Sequence, residues 1–271
     1  MRMALFYTPA MLPPCIFCDN QSGSKEHLWP NWMHRLIPFA PINRQEGAGP
    51  VLVGQDSEVT IDTVCGICNN GWMSQLEQKN VTRLKAMLLN TPITLDPGGM
   101  KLLTEWAVKT AMVSDSIKPR NDNENFFTRE ERIAMRESRM IPQRTRVWIG
   151  SLTGSHLGCH GTDFTIVANS GKTRLGTGSV NTIYAGHFVV QTVTEHIQAP
   201  YVSDQASFIT PTPTICDERL TEIYPNALKK AEWPQPPFTD DGETGIAILM
   251  NRWRTGERID KISNALPPKI S

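Results

Sequence analysis

The sequence contains no long apolar segment. No run approaches the roughly 18 uncharged apolar residues that a membrane-spanning helix requires. A short apolar run at the beginning of the chain is interrupted by Pro9 and Pro13 and has no convincing cleavage site, so we expect a plain N-terminus rather than a signal peptide. We therefore expect a cytoplasmic protein that does not associate with membranes.

The sequence also lacks an excess of charge of either sign. It has 27 Lys and Arg residues and 27 Asp and Glu residues, and its first 90 residues have seven of each kind. Proteins that bind many phosphates usually carry excess positive charge, because the release of counterions drives that binding. The balance weighs against tight stand-alone binding of DNA. It leaves room for a nuclease whose contacts are few, local or supplied by a partner. The basic residues that could flank a local phosphate path are Lys25, Arg35, Lys79, Arg83 and Lys85, although solvated helix faces explain the last three equally well.

The helical signals lie in the first half of the chain. An apolar pattern with helical spacing begins just after Cys68 and ends at Pro92, and a second helix is capped by Asp96 followed by Pro97. A third helix begins at Thr128, where Thr-Arg-Glu-Glu has the pattern of a capping box. No internal repeat and no low-complexity run is present.

From Thr145 onwards the pattern changes to strands. Residues 145–152, 162–170 and 179–193 are rich in β-branched and aromatic residues and are separated by Gly and Ser turns. Short helices are predicted around 218–230 and 246–253. The sequence therefore predicts an α+β protein with residues 1–95 as one domain and 96–271, a mixture of helices and antiparallel strands, as an accessory domain of unknown role.

Two Cys-x-x-Cys pairs are present, Cys15 with Cys18 and Cys65 with Cys68, and 46 residues separate the pairs. In a chain without a secretory signal such pairs favour a metal over disulfides. Each Cys-x-x-Cys turn directs its sulfur atoms towards one point, so two turns complete a tetrahedral site for Zn²⁺. Because four thiolates leave no open position for water, we expect this zinc to be structural.

The segment Glu26-His27-Leu-Trp-Pro30 lies between the two Cys pairs, and Asn69 directly follows the second pair. The order CIFC, EHLWP and CGICN resembles that of the HNH, or ββα-metal, endonucleases over about a third of the chain. The motifs WAVKTAM, VWIG and WPQPP further along resemble parts of uncharacterised bacterial and phage proteins of the same family. The resemblance implies a zinc-bound ββα module that cuts nucleic acid, with phage, mobile elements or defence as its setting.

The same resemblance implies the roles of individual residues. His27 would be the general base that activates water, Glu26 a ligand of the catalytic cation, and Asn69 a second ligand at the start of the helix, with Asn70 as its substitute. Carboxylate and amide oxygens suit Mg²⁺ or Mn²⁺. The chain departs from the family where a middle Asn usually orients the base: the closest residues are Thr60 and Asp62. It departs again at Trp72, where a lysine is frequent.

Three hypotheses follow from these motifs. The preferred one is a metal-dependent endonuclease, with DNA preferred to RNA as substrate and a protein partner or a second copy of the chain as a further candidate partner. The alternative is a catalytically silent zinc module that binds nucleic acid or protein. The third is a nuclease that stays inactive until an ATPase or another partner delivers DNA. The remaining isolated histidines and cysteines are assigned to structural or surface roles; they are His34, His156, Cys159, His160, His187 and His196.

Overall fold

The computed structural model describes residues 12–37, 42–44, 52–54, 60–117, 125–167, 173–198, 220–225 and 228–238. Within them the protein is α+β, with mainly antiparallel sheets. The elements before the second Cys pair are β1 (Ser24–His27), α1 (Asn31–Leu36), β2 (Ile42–Arg44), β3 (Leu52–Gly54) and β4 (Thr60–Val64). The helices that follow are α2 (Gly66–Cys68), α3 (Ser74–Leu88), α4 (Pro97–Asp115) and α5 (Arg129–Ser138). The later strands are β5 (Ile93–Leu95), β6 (Thr145–Val167), β7 (Arg174–Ile197), β8 (Thr221–Tyr224), β9 (Ala231–Trp233) and β10 (Pro237–Phe238).

The helix predicted after Cys68 is confirmed, and it contains an irregular first part. A π-helical turn at Asn69–Met73 joins α2 to α3, and Gly71 within it has non-helical angles (φ −92°, ψ −110°). A distortion of this kind changes the direction in which the neighbouring side chains point. The helix ends at Leu88, shortly before Pro92, as the sequence predicts.

The caps predicted for α4 and α5 are also confirmed. The Asp96 carboxylate accepts a hydrogen bond from the Gly99 N–H at 2.6 Å, and Pro97 occupies the first helical position. Thr128 and Glu131 form a reciprocal capping box at the start of α5. Helix α4 is buried on every side from Leu103 to Asp115, polar residues included. Within the described ranges, no helix has both the length and the apolar character needed to cross a bilayer.

The strands predicted after Thr145 are confirmed, except for residues 168–170, which lie outside the described residues, as parts of one long antiparallel hairpin, β6 with β7. The pairing is interrupted between Ser151 and His156, opposite Gly186, whose φ is +55°. At this point the hairpin bends, so that Gln191 donates a hydrogen bond at 2.9 Å to Thr182, nine residues earlier on the same strand. Strands β2, β8 and β10 also pair with β6.

The helix predicted around 218–230 is wrong, because residues 221–224 form β8 and pair with β6. Thr221 and Ile223 are β-branched residues in alternate positions, and Ile223 is buried against the sheet. Packing on a pleated surface therefore outweighs the weak helical propensity of this short segment. The helix predicted around 246–253 lies outside the described residues.

One continuous group of buried apolar side chains connects the N-terminal elements with the hairpin. It includes Cys15, Met73, Trp106, Val147 and Trp233. Strand β5 pairs with β9, so the segment around the predicted domain boundary contacts the later part of the chain. The division into residues 1–95 and 96–271 stays a prediction, but both parts contribute to the same core.

The bend at Gly186 gives a testable prediction. A Cβ added there would lie 2.6 Å from the backbone oxygen of Leu88, and the positive φ disfavours any L side chain. Gly186→Ala should lower the free energy of unfolding by about 2–4 kcal/mol, measured by urea denaturation. The matched control is Gly98→Ala in the first turn of α4, where the added Cβ would meet nothing nearer than an Asp96 oxygen at 3.7 Å. Equal stability of the two variants would contradict the expectation.

Candidate metal centre and active site

The four cysteines of the two Cys-x-x-Cys pairs converge on one buried point. All of their sulfur atoms lie within 4.8 Å of one another, and all four residues are buried. The Sγ of Cys18 is 3.5 Å from that of Cys65 and 3.7 Å from that of Cys68. These separations are too long for disulfide bonds but short enough for the sulfur atoms to bind one metal ion. Among the described residues, this is the one group of three or more His, Cys, Asp or Glu ligand atoms gathered so closely.

Backbone N–H groups stabilise the sulfur atoms at both turns. Phe17 donates to Cys15 Sγ, and Cys68 donates to Cys65 Sγ, each at 3.4 Å. The Phe17 ring packs edge-on against Trp72 with centroids 5.0 Å apart. Trp72, where the resembled family often has a lysine, thus joins the first Cys turn to the helix that follows the second.

Burial and hydrogen bonds change the acidity of the thiols in the cluster. Burial raises the pKa of Cys15 and of Cys68. Burial also acts to raise the pKa of Cys65, but hydrogen bonds from the Cys68 N–H and from neighbouring thiols lower it to about 7. Four adjacent thiolates would repel one another, whereas a bound cation stabilises the thiolate form of each. The cluster therefore has the composition, burial and proximity of a metal site.

The register of β1 against β4 places Thr60 beside His27. Glu26 pairs with Ile61 and His27 pairs with Thr60, while the register shifts between Ser24 and Glu26. Directly opposed residues on antiparallel strands have Cβ atoms about 4.5–5.5 Å apart. Of the two substitutes for the family's middle Asn, Thr60 is the one opposite His27, and Asp62 lies further along β4. Glu26 is buried and His27 is half-buried.

Asn69 is attached to the strand that carries Glu26 and His27. Its side-chain amide donates to Ser24 Oγ at 2.9 Å and to the Lys25 backbone oxygen at 3.2 Å. Because Asn69 immediately follows Cys68, the cysteine cluster positions this side chain. Asn70, the predicted substitute ligand, is exposed. The structure thus attaches the predicted amide to β1 through Ser24 and Lys25, the two residues that precede the predicted dipeptide.

Lys109 is a neighbour of the site that the motifs did not predict. Its Nζ lies 3.3 Å from Glu26 Oε1, and the two side chains are only 4% and 9% exposed. The sequence offered one signal: a lysine within the apolar run WAVKTAMV, three residues after Trp106 and four before Val113 on the same helix face.

Glu77 is a second residue that the motifs did not predict, and its carboxylate interacts electrostatically with the dipeptide. Trp32 Nε1 donates to Glu77 Oε1 at 3.0 Å, and the Lys85 ammonium lies 5.6 Å from the centre of the Trp32 ring. Burial raises the pKa of Glu77; the charge of Lys109 and the Trp32 hydrogen bond act to lower it, Glu26 to raise it and His27 to lower it. Glu77 therefore belongs to the same electrostatic group as Glu26, His27 and Lys109. Its signal in the sequence was an acidic residue four positions after Met73, at the edge of the apolar stripe.

The other candidate polar residues make separate contacts. His187 Nδ1 is 2.7 Å from the Leu152 oxygen, and His196 Nε2 is 2.9 Å from Glu131 Oε1. The Sγ of Cys159 is 3.2 Å from Ser114 Oγ. The side chains of His34, His156 and His160 lie outside the described residues.

Two of the basic residues considered for a phosphate path lie on the exposed side of α3. Arg83 donates to the Lys79 backbone oxygen at 2.8 Å, and both side chains line a cavity of about 320 Å³. Lys25 is exposed immediately before Glu26.

Comparison with protein-family models, with curated proteins and with solved structures finds no match to this chain.

The cysteine cluster generates a prediction about metal and stability. Cys65→Ser should release the bound metal and unfold the N-terminal elements, because metal-binding energy of about 10–16 kcal/mol contributes directly to folding in such sites. Metal content is measured by elemental mass spectrometry and folding by thermal denaturation. Cys159→Ser, which lies outside the cluster, is the matched control and should retain the metal. Metal-free wild-type protein that remains folded would refute a structural metal at this site.

Proposed function

We propose that this protein is a metal-dependent endonuclease of the HNH type that hydrolyses phosphodiester bonds, with DNA as its preferred substrate. The observation that carries the proposal is the attachment of Asn69 to β1. It joins the residue that follows the second Cys pair to the strand of Glu26 and His27. The residue types that the chemistry needs therefore lie on β1 and on the turn that is hydrogen-bonded to it.

Zinc is the metal that we assign to this cluster. Zn²⁺ prefers tetrahedral sites with thiolate ligands, and a complete set of four thiolates leaves it a structural role. The ligands would be Cys15, Cys18, Cys65 and Cys68. Held in this way, β1, β4 and the following helix would form the ββα-metal module that the sequence predicts.

A second cation, Mg²⁺ or Mn²⁺, would be held by Glu26 and Asn69. Carboxylate and amide oxygens are the donors that such hard cations prefer, and Glu26 on β1 and Asn69 on the turn attached to β1 offer one of each. The chemistry that this cation supplies is neutralisation of the charge that develops on the phosphate and on the leaving oxygen. The structure adds Glu77 as a further carboxylate within the same group.

His27 acts as the general base. Its half-buried imidazole accepts a proton from a water molecule, whose oxygen attacks the phosphorus. The bond from phosphorus to the 3′ oxygen breaks, which leaves a 5′-phosphate and a 3′-hydroxyl end. Thr60, opposite His27 in the register, orients the imidazole in place of the family's middle Asn.

Residues 96–271 supply substrate selection or partner docking in this proposal. Helix α4 also brings Lys109 into contact with Glu26, so the later part of the chain helps to build the active site. A partner that delivers DNA remains compatible with the absence of net charge.

A catalytically silent zinc module is the second candidate, and one observation favours it. The carboxylate of Glu26 already has a buried counter-ion in Lys109, so the site is electrostatically satisfied without a catalytic cation. In that case Glu26 and Lys109 would serve folding, and the protein would bind nucleic acid or a protein without cutting.

The two candidates differ in one assay. His27→Ala should reduce the cutting of plasmid DNA in Mg²⁺, Mn²⁺ or Ni²⁺ by about 100-fold or more, because a positioned general base contributes 10²–10⁴-fold. The extent of cutting is measured by gel electrophoresis. His187→Ala is the control, since this histidine contacts Leu152 on the hairpin, and it should cut like the wild type.

Equal cutting by wild type and His27→Ala would contradict the assignment of the base. If the protein alone cuts under no condition, the silent module is favoured. If adding a partner ATPase produces cutting, the protein is a nuclease that depends on a partner to deliver DNA, and His27→Ala should abolish the cutting that the partner produces.

A further inference from the structure

The mechanism above assigns no chemical step to Lys109, which forms a buried ion pair with Glu26. It lies inside the protein, with a separation of 3.3 Å and almost no exposure of either side chain. An ionised carboxylate in such a place needs a counter-charge, because removal from water is costly unless the charge is paired. Lys109 provides it in the absence of any divalent cation.

The same carboxylate is the predicted ligand of the catalytic cation. A divalent ion bound to Glu26 would lie a few ångströms from the Lys109 ammonium, and like charges at that distance repel strongly where water is scarce. One carboxylate cannot fully stabilise both positive groups. An increase in the affinity for one of them must therefore weaken the interaction with the other.

Glu77 offers the ammonium a second carboxylate. Burial raises the pKa of Glu77, the charge of Lys109 acts to lower it and that of Glu26 to raise it, and Trp32 donates a hydrogen bond to one of its oxygens. The group thus has two carboxylates for one lysine. This is the composition that an exchange between an ammonium and a divalent cation requires.

We propose that the Lys109 ammonium and a divalent cation compete for the Glu26 carboxylate, so that Lys109 sets the concentration of cation that the site requires. The inference rests on the proposed function, which makes Glu26 a cation ligand. Lys109 is a positioning residue that acts through Glu26. Its ammonium neutralises Glu26, and a cation that binds to Glu26 must weaken this contact.

The test measures binding of Mn²⁺ to the full chain by electron paramagnetic resonance of the free ion. Lys109→Met, which removes the charge and keeps most of the volume, should bind Mn²⁺ at least tenfold more tightly than the wild type. Lys109→Arg, which keeps the charge, should bind it like the wild type. Glu26→Gln should abolish this binding in both the wild-type and the Lys109→Met backgrounds. Lys101→Met is the matched control, because Lys101 is an exposed residue of the same helix, and it should leave the affinity unchanged.

A merely structural lysine would lower stability without strengthening cation binding. Unchanged or weaker binding of Mn²⁺ by folded Lys109→Met therefore overturns the proposal. If this variant does not fold, the wild type is titrated with Mg²⁺ while the ¹⁵N resonance of the Lys109 ammonium, assigned by its loss in Lys109→Arg, is followed by NMR. A saturable shift supports the competition, and an unchanged resonance overturns it.

The outcomes separate this inference from the proposed function. Cutting that depends on His27, together with unchanged Mn²⁺ affinity in Lys109→Met, overturns the competition and leaves the nuclease intact. Tighter, Glu26-dependent binding in Lys109→Met without cutting by any variant supports the competition and contradicts the nuclease.

Discussion

The structure depends on the convergence of four buried thiols. Strands β1 and β4 are four and five residues long, and a two-stranded ribbon of that size is marginal in water. The cluster of Cys15, Cys18, Cys65 and Cys68 brings together two segments that lie 46 residues apart in the sequence, beside these strands and the following helix. Because burial raises the pKa of Cys15 and Cys68, the cluster is poorly satisfied as bare thiolates. A metal that compensates their charge would also fix the geometry of everything attached to them.

The site next to the cluster is assembled from both parts of the chain. Asn69 reaches β1 because it immediately follows the last cysteine and begins a π-helical turn. Lys109 reaches Glu26 because α4 is buried on every side from Leu103 to Asp115, which places this side chain in the interior. One continuous apolar core includes residues from Cys15 to Trp233. Both parts of the chain that contribute to the site pack in this core. A change in the later part of the chain can therefore alter the electrostatics of a site whose motif lies wholly in the first part.

Local signals in the sequence predicted the structure correctly where a single side chain determines the conformation of the neighbouring backbone. Asp96 and Thr128 begin their helices because their side chains accept the N–H groups that a helix leaves unpaired, and this needs only neighbouring residues. The segment 218–230 was mispredicted for the opposite reason. Its conformation at 221–224 comes from pairing with β6, which lies more than 70 residues away in the sequence. Such long-range pairing outweighs the weak propensities of a short segment.

The sequence by itself identified the four cysteines that the structure brings together and the order of the motifs, because Cys-x-x-Cys turns and an adjacent Glu-His pair are local arrangements. The sequence also offered two residues, Thr60 and Asp62, near the position where the resembled family has an Asn that orients the base. Only the strand register decided that Thr60 is the residue opposite His27. The partners of Glu26 were decided by the tertiary structure alone. Lys109 is 83 residues from Glu26 along the chain, and their proximity results from how α4 packs in the core. A buried charge requires a counter-charge, but which residue supplies it depends on the packing of the whole chain.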